Sequence, residues 1–153
     1  MKTIDDPVAK SELLERLQKV TPTAARKWGK MTIQQMVCHL DDGLQMLMGK
    51  RKAADVSNGF SRTVIKYVAL HTPLPWPHGA NAPKEINQET GAGTPPDVLE
   101  QDLARLRSSI EEFCRTPRTF QVADHPMFGP LTEWECMRLG YAHIDHHLRQ
   151  FGL

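Results

Sequence analysis

Apolar side chains recur at three- and four-residue intervals along most of this chain, and polar or proline-rich stretches separate the runs. That period stacks them on one face of an α-helix. The first run predicts a helix over about residues 6–20. Asp6 caps it, Pro7 suits the first helical position, and Leu13, Leu14 and Leu17 form its stripe before Thr21-Pro22 ends it. The second predicts a helix over about 33–48. Thr32 and Gln35 make a capping box there, and Ile33, Met36, Val37, Leu40, Leu44, Leu47 and Met48 follow the helical spacing. Gly49 and Lys50-Arg51-Lys52 supply its stop.

A short apolar segment at about 60–70 fits either a helix or a strand. A clear helix is predicted at about 97–115, with Thr94 as its cap and Val98, Leu99, Leu103, Leu106, Ile110 and Phe113 as its core face. The last, about 133–150, opens on a second capping box, Thr132 with Glu135, and closes at Gly152. Trp134, Met137, Tyr141, Ile144 and Leu148 make its stripe. No alternating strand of useful length is present, so the pattern predicts an all-α bundle forming one domain over residues 1–153. Residues 71–96, with six prolines and three glycines, predict a long irregular loop, partly packed down through Leu74 and Trp76. A second loop, 118–131, carries His125-Pro126-Met127-Phe128-Gly129.

Composition narrows the function classes. The formal net charge is +1 and no block of five like charges occurs, which argues against nucleic acid as a partner. No apolar run reaches the ~18 residues that span a bilayer, so no membrane partner is expected. Met1 to Asp6 lack the basic-then-apolar order of a secretory signal, and the expected location is the cytoplasm. Cys38, Cys114 and Cys136 are odd in number and widely spaced, and each is expected as a small buried hydrophobe.

The candidate chemistry lies in the seven histidines. His143 and His147 are four residues apart, so both sit on one face of the last helix and can aim ring nitrogens at one ion. His146 falls on another face. His39 lies at the margin of the second helix's apolar face, with Gly43 one turn on. Gly140 is similarly placed one turn before His143 and is expected to leave room at the site. Three imidazoles converging in a bundle core, with a position left open, is the pattern of a catalytic metal site. Ile144 stands where a zincin carries its general base, which argues against a metalloprotease. Asp42 is expected as a solvated acid, with a role in orienting His39 as the alternative. His125 is expected as a turn residue, with lining the site as its alternative. His71 and His78 are expected as loop residues. Cys136, two turns before His143, or His78 can close the fourth position.

The last helix reads Tyr141-Ala142-His143-Ile144-Asp145-His146-His147-Leu148-Arg149-Gln150-Phe151, and the second contains Gln34-Gln35-Met36-Val37-Cys38-His39. With these segments the chain resembles the DinB-like superfamily over nearly its whole length. More narrowly it resembles a bacterial subgroup with a His-Pro-x-Phe-Gly segment, here His125 to Gly129. The resemblance implies a four-helix bundle of up-down-down-up type, often a homodimer, with a metal on His39, His143 and His147. It also implies thiol-dependent chemistry, since characterised relatives include S-transferases and isomerases that use low-molecular-weight thiols.

The expectation is therefore a metal-dependent enzyme, a thiol-dependent S-transferase or hydrolase. A divalent ion (zinc or nickel), a small-molecule substrate and a low-molecular-weight thiol would be its ligands. The alternatives are a metal-binding scaffold of the stress response and a metal-free helical interaction module that dimerises. No Ser-His-Asp set or carboxylate pair offers another chemistry.

Overall fold

The computed structural model describes residues 1–79 and 82–153. Ala80 and Asn81, in the expected long loop, lie outside the described residues. The architecture is all-α, and the only bridge of β type among the described residues is the isolated pair His125 and Gly129. The helices are α1 (Pro7–Leu17), α2 (Ile33–Leu47), α3 (Lys66–His71), α4 (Leu99–Phe113) and α5 (Glu133–Gln150). One π turn, Ser61–Ile65, runs directly into α3, so the ambiguous segment at 60–70 is helical.

Local chemistry sets most of the boundaries. Asp6 caps α1 by accepting from the Ala9 N–H at 2.8 Å. Thr32 and Gln35 close one capping box and Thr132 and Glu135 the other. Gly49 and Gly152, at φ of 72° and 75°, turn the chain out of α2 and α5. Two boundaries differ from expectation. Helix α1 stops at Leu17, because the N–H groups of Lys19 and Val20 reach back only three residues, to Arg16 and Leu17, and this tight turn brings Val20 into the core. Helix α4 starts at Leu99, capped by Val98 with no side-chain bond. Thr94 is not its cap. Its hydroxyl and its N–H are both taken by Asp42, as described below.

Helix α2 packs against both α4 and α5, while α1 and α3 pack on α5. The shared core includes Leu13, Met36, Leu40, Leu106, Phe113 and Met137, all at most 1% exposed. Each such side chain contributes roughly 1.5–3 kcal/mol of transfer free energy. Trp134 departs from the expected stripe of α5. It is 39% exposed and packs its ring 4.9 Å from His71 instead. The long loop also departs from irregularity, forming two 3-10 turns, Lys84–Ile86 and Gln88–Thr90, with Ile86 and Gln88 buried.

Twelve of the fifteen residues of α2 are buried. A helix so enclosed must bury its polar side chains too, and each of them needs a partner. Asp41 accepts from Ser109 Oγ at 2.5 Å and Arg105 Nε at 3.2 Å, which joins α2 to α4. Asp42 and His39 find theirs in the loop that follows α3.

Candidate metal centre

His39 sits in the middle of α2 and is 4% exposed. Its Nε2 lies 3.0 Å from Nε2 of His143. The three imidazoles of His39, His143 and His147 meet edge to face, with ring centroids 4.8–4.9 Å apart. One nitrogen from each lies within 4.8 Å of the others, close enough to hold a metal ion. Nitrogens about 2.0–2.1 Å from one tetrahedral ion stand about 3.3 Å apart, so the His39–His143 spacing already suits shared coordination.

Two rings are fixed from behind. His39 Nδ1 faces the carbonyl oxygen of Ile86 at 3.1 Å. A carbonyl only accepts, so this nitrogen carries the proton and Nε2 keeps its lone pair for the centre. His147 Nδ1 donates to Oε1 of Gln150 at 2.9 Å. The orientation of that amide follows from its other end, where Nε2 donates to the Trp28 carbonyl at 2.9 Å. Such outer hydrogen bonds set the tautomer and raise the basicity of a ligating histidine.

The electrostatics agree. Burial pushes His39 below its ordinary value, against the opposing pull of the Ile86 carbonyl. Burial, and then the neighbouring histidines, push His143 well below it. His147 is likewise pushed well down by burial and by His39. All three rings are therefore neutral near pH 7, the form in which imidazole binds metal.

Gly43 makes the convergence sterically possible. A Cβ there would stand 2.8 Å from Cε1 and 2.9 Å from Nδ1 of His143. Gly43→Ala gains about 1 kcal/mol of helix propensity and incurs about 1–3 kcal/mol of overpacking. The expected result is a net loss of roughly 1 kcal/mol in urea unfolding, with His143 displaced from His39. A variant as stable as the wild type would show that the ring has free space on its other side. Gly140 does not serve the site as expected. Its missing Cβ makes room for Phe113 Cε1 at 3.0 Å and Ile4 Cγ2 at 3.2 Å, so it serves the core.

The remaining candidates lie elsewhere. Cys136 is fully buried in the apolar core and outside the histidine group, and burial pushes its thiol up to about 12. The thiol is thus protonated near pH 7 and is no nucleophile there. Cys38 is likewise pushed up to about 12 by burial and by Asp102. His78 stacks on Trp28 with centroids 4.0 Å apart. His125 is a turn residue, its Nδ1 accepting from the N–H groups of Met127 and Phe128, both at 3.2 Å. His71 does more than sit in a loop. It ends α3 and bonds Glu135 at 3.1 Å. Burial opposes the ionised form of Glu135, but Thr132, His71 and Lys66 hold its pKa at about 2. His146 lies outside the ligand group but next to it, its ring edge to face with His147 at 5.1 Å and flanked by Trp28 and Trp76.

Asp42 corrects the expectation of a solvated acid, since it is 1% exposed. It makes no hydrogen bond to His39, whose ring partner is Ile86, though its charge pulls the His39 pKa upward against burial. The sequence reading also missed Gln150 and the Ile86 carbonyl. Gln150 had a signal, lying three residues after His147 on the same helical face. A backbone carbonyl 47 residues from its partner leaves no trace in a sequence.

No curated protein and no solved structure matches the chain. One family model does, described as "Protein of unknown function (DUF1569)", and it spans residues 4–152, which takes in every residue of the histidine centre. The chain belongs to the DUF1569 family.

Proposed function

We propose that this chain is a metal-dependent enzyme of DinB-like type, with α1, α2, α4 and α5 as its four-helix bundle and a divalent ion on His39, His143 and His147. The observation that carries the reading is three neutral imidazoles converging, His39 buried and the other two half-buried, two with their outer nitrogens already bonded. Nothing in a bundle core requires three rings to meet this way. Packing alone would be served better by Leu or Phe at the same positions, without the desolvation of three titratable groups.

Zinc and nickel are the ions we favour, since imidazole donors suit both. Such an ion supplies Lewis acidity and draws the pKa of a water or thiol bound to it toward ~7. The chain's own residues hold the ligands neutral and oriented and keep the centre apart from bulk water. His143 and His147 are only partly buried, whereas His39 is enclosed, so substrate approach is from the α5 side. Among the described residues no fourth His, Cys, Asp or Glu joins the group. This supports an open, catalytic site over a closed one serving a scaffold. The reaction we favour is thiol-dependent transfer, with hydrolysis by an activated water as the second form of the same chemistry.

The test is elemental analysis of untagged protein purified without chelator, followed by titration of the cobalt-loaded protein with a small thiol. About one equivalent of metal, and a new thiolate-to-metal charge-transfer band, are expected. Metal without any band would favour the structural role, and no metal uptake at all would sink the reading.

A further inference from the structure

We infer that Asp42 is a positioning residue for His39, acting through the chain segment 84–94. For its effect on metal the inference rests on the reading above, and for its effect on the histidine it stands alone. Asp42 lies three residues after His39 in α2, and its carboxylate has every acceptor direction filled. Oδ1 accepts from Arg51 Nη1 at 2.8 Å and Thr94 Oγ1 at 2.6 Å. Oδ2 accepts from the Thr94 N–H at 2.8 Å and Gln88 Nε2 at 3.4 Å.

Arg51 extends the clamp. Its Nη2 donates to the carbonyls of Glu85 at 2.8 Å and Ala92 at 2.9 Å. Those carbonyls belong to the two ends of the segment, and Gln88 Nε2 also donates to the Thr94 carbonyl at 3.0 Å. The chain passes so close here that a Cβ on Gly93 would stand 3.0 Å from Asp42 Oδ2. One buried carboxylate thus closes the segment on itself and binds it to α2. Ile86 lies inside the clamped stretch. Its side chain is 2% exposed and its carbonyl oxygen receives the Nδ1 proton of His39.

The consequence is chemical as well as mechanical. A neutral imidazole has one N–H, and the Ile86 carbonyl keeps it on Nδ1, so Nε2 presents a lone pair to His143 and His147. Released from that carbonyl, the proton is free to move to Nε2, where it blocks coordination. Asp42 would therefore govern which tautomer of His39 faces the centre without a hydrogen bond to His39 itself.

The experiment compares wild type, Asp42→Ala and Thr94→Val. The imidazole tautomers of the metal-free proteins are read by nitrogen-15 NMR at pH 7.5, and zinc affinity by competition with a chromophoric chelator. Wild-type His39 is expected in the Nδ1–H form. Asp42→Ala is expected to populate the Nε2–H form and to bind zinc about 10–100-fold more weakly, with helicity retained. Thr94→Val removes one hydroxyl donor and keeps the ion pair, so it should show a smaller shift in the same direction, and it decides the matter if Asp42→Ala does not fold. Unchanged His39 tautomer in the folded variants would overturn the inference. Wild type that binds no zinc would sink the metal reading, while the tautomer comparison would still decide the role of Asp42.

Discussion

His143→Ala is expected to purify with less than about a tenth of an equivalent of metal, where the wild type carries about one, while its helicity stays near the wild-type value. His143 stands at the heart of the group: its Nε2 lies 3.0 Å from that of His39, and its ring meets both other rings. Two imidazoles on separate helices remain after the change, and two ligands do not hold an ion against a chelator as three do. The fold should survive, because His143 belongs to no apolar cluster and the helix around it is set by the Thr132–Glu135 box and the packing of Met137, Ile144 and Leu148. Alanine also raises helix propensity at the position. Elemental analysis and far-UV circular dichroism on the same sample make the test. Full metal retention would remove His143 from the ligand set.

Acid is expected to unfold the metal-free protein well above the range in which carboxylates titrate. The direction follows from the histidines. His39, His143 and His147 are all held below their ordinary value of 6.5 in the folded state. His125 and His146 are lowered to about 4, both chiefly by burial. Below pH 6.5 the unfolded chain therefore binds more protons than the folded one, and stability falls as pH falls. Each histidine that stays neutral contributes a loss of about 1.4 kcal/mol per pH unit. The four with the large drops, His125, His143, His146 and His147, give roughly 5 kcal/mol between pH 7.5 and 5.5, a large part of the ~5–15 kcal/mol of a typical domain, and His39 adds in the same direction.

Glu135 does not confuse the reading. Held at about 2 against an ordinary 4.5, it contributes stability that is lost only as pH falls from 4.5 towards 2. Urea midpoints at pH 7.5, 6.5 and 5.5 check the prediction. A steep fall is expected in wild type, and a shallower one in His143→Ala, by about one proton. A flat profile would mean that the three rings take up protons without penalty, which is incompatible with their burial. The same acid range should strip metal from the loaded protein, because protons and ion compete for the same lone pairs.

Some of this was determined by sequence alone. The helical period, the two capping boxes and the cap at Asp6 are local rules, written within four residues of one another, and they placed α2 and α5 almost to the residue. The same local rule put His143 and His147 on one face. That His39 joins them came from its place on α2 and from the family likeness, and the geometry brings all three together.

What tertiary structure decided is where the partners are far apart in the chain. Asp42 looked like a solvated acid because nothing nearby in sequence marks it for burial. Its partners Gln88 and Thr94 come from the loop beyond α3. Gly43 and Gly140 looked alike, each one turn from a histidine. Only the packing shows that one accommodates His143 and the other Phe113. Thr94 looked like a helix cap until a buried carboxylate claimed both its donors. Local spacing fixes which face of a helix a side chain takes. What that face meets is set by contacts between residues dozens of positions apart, for which one sequence carries no periodic signal.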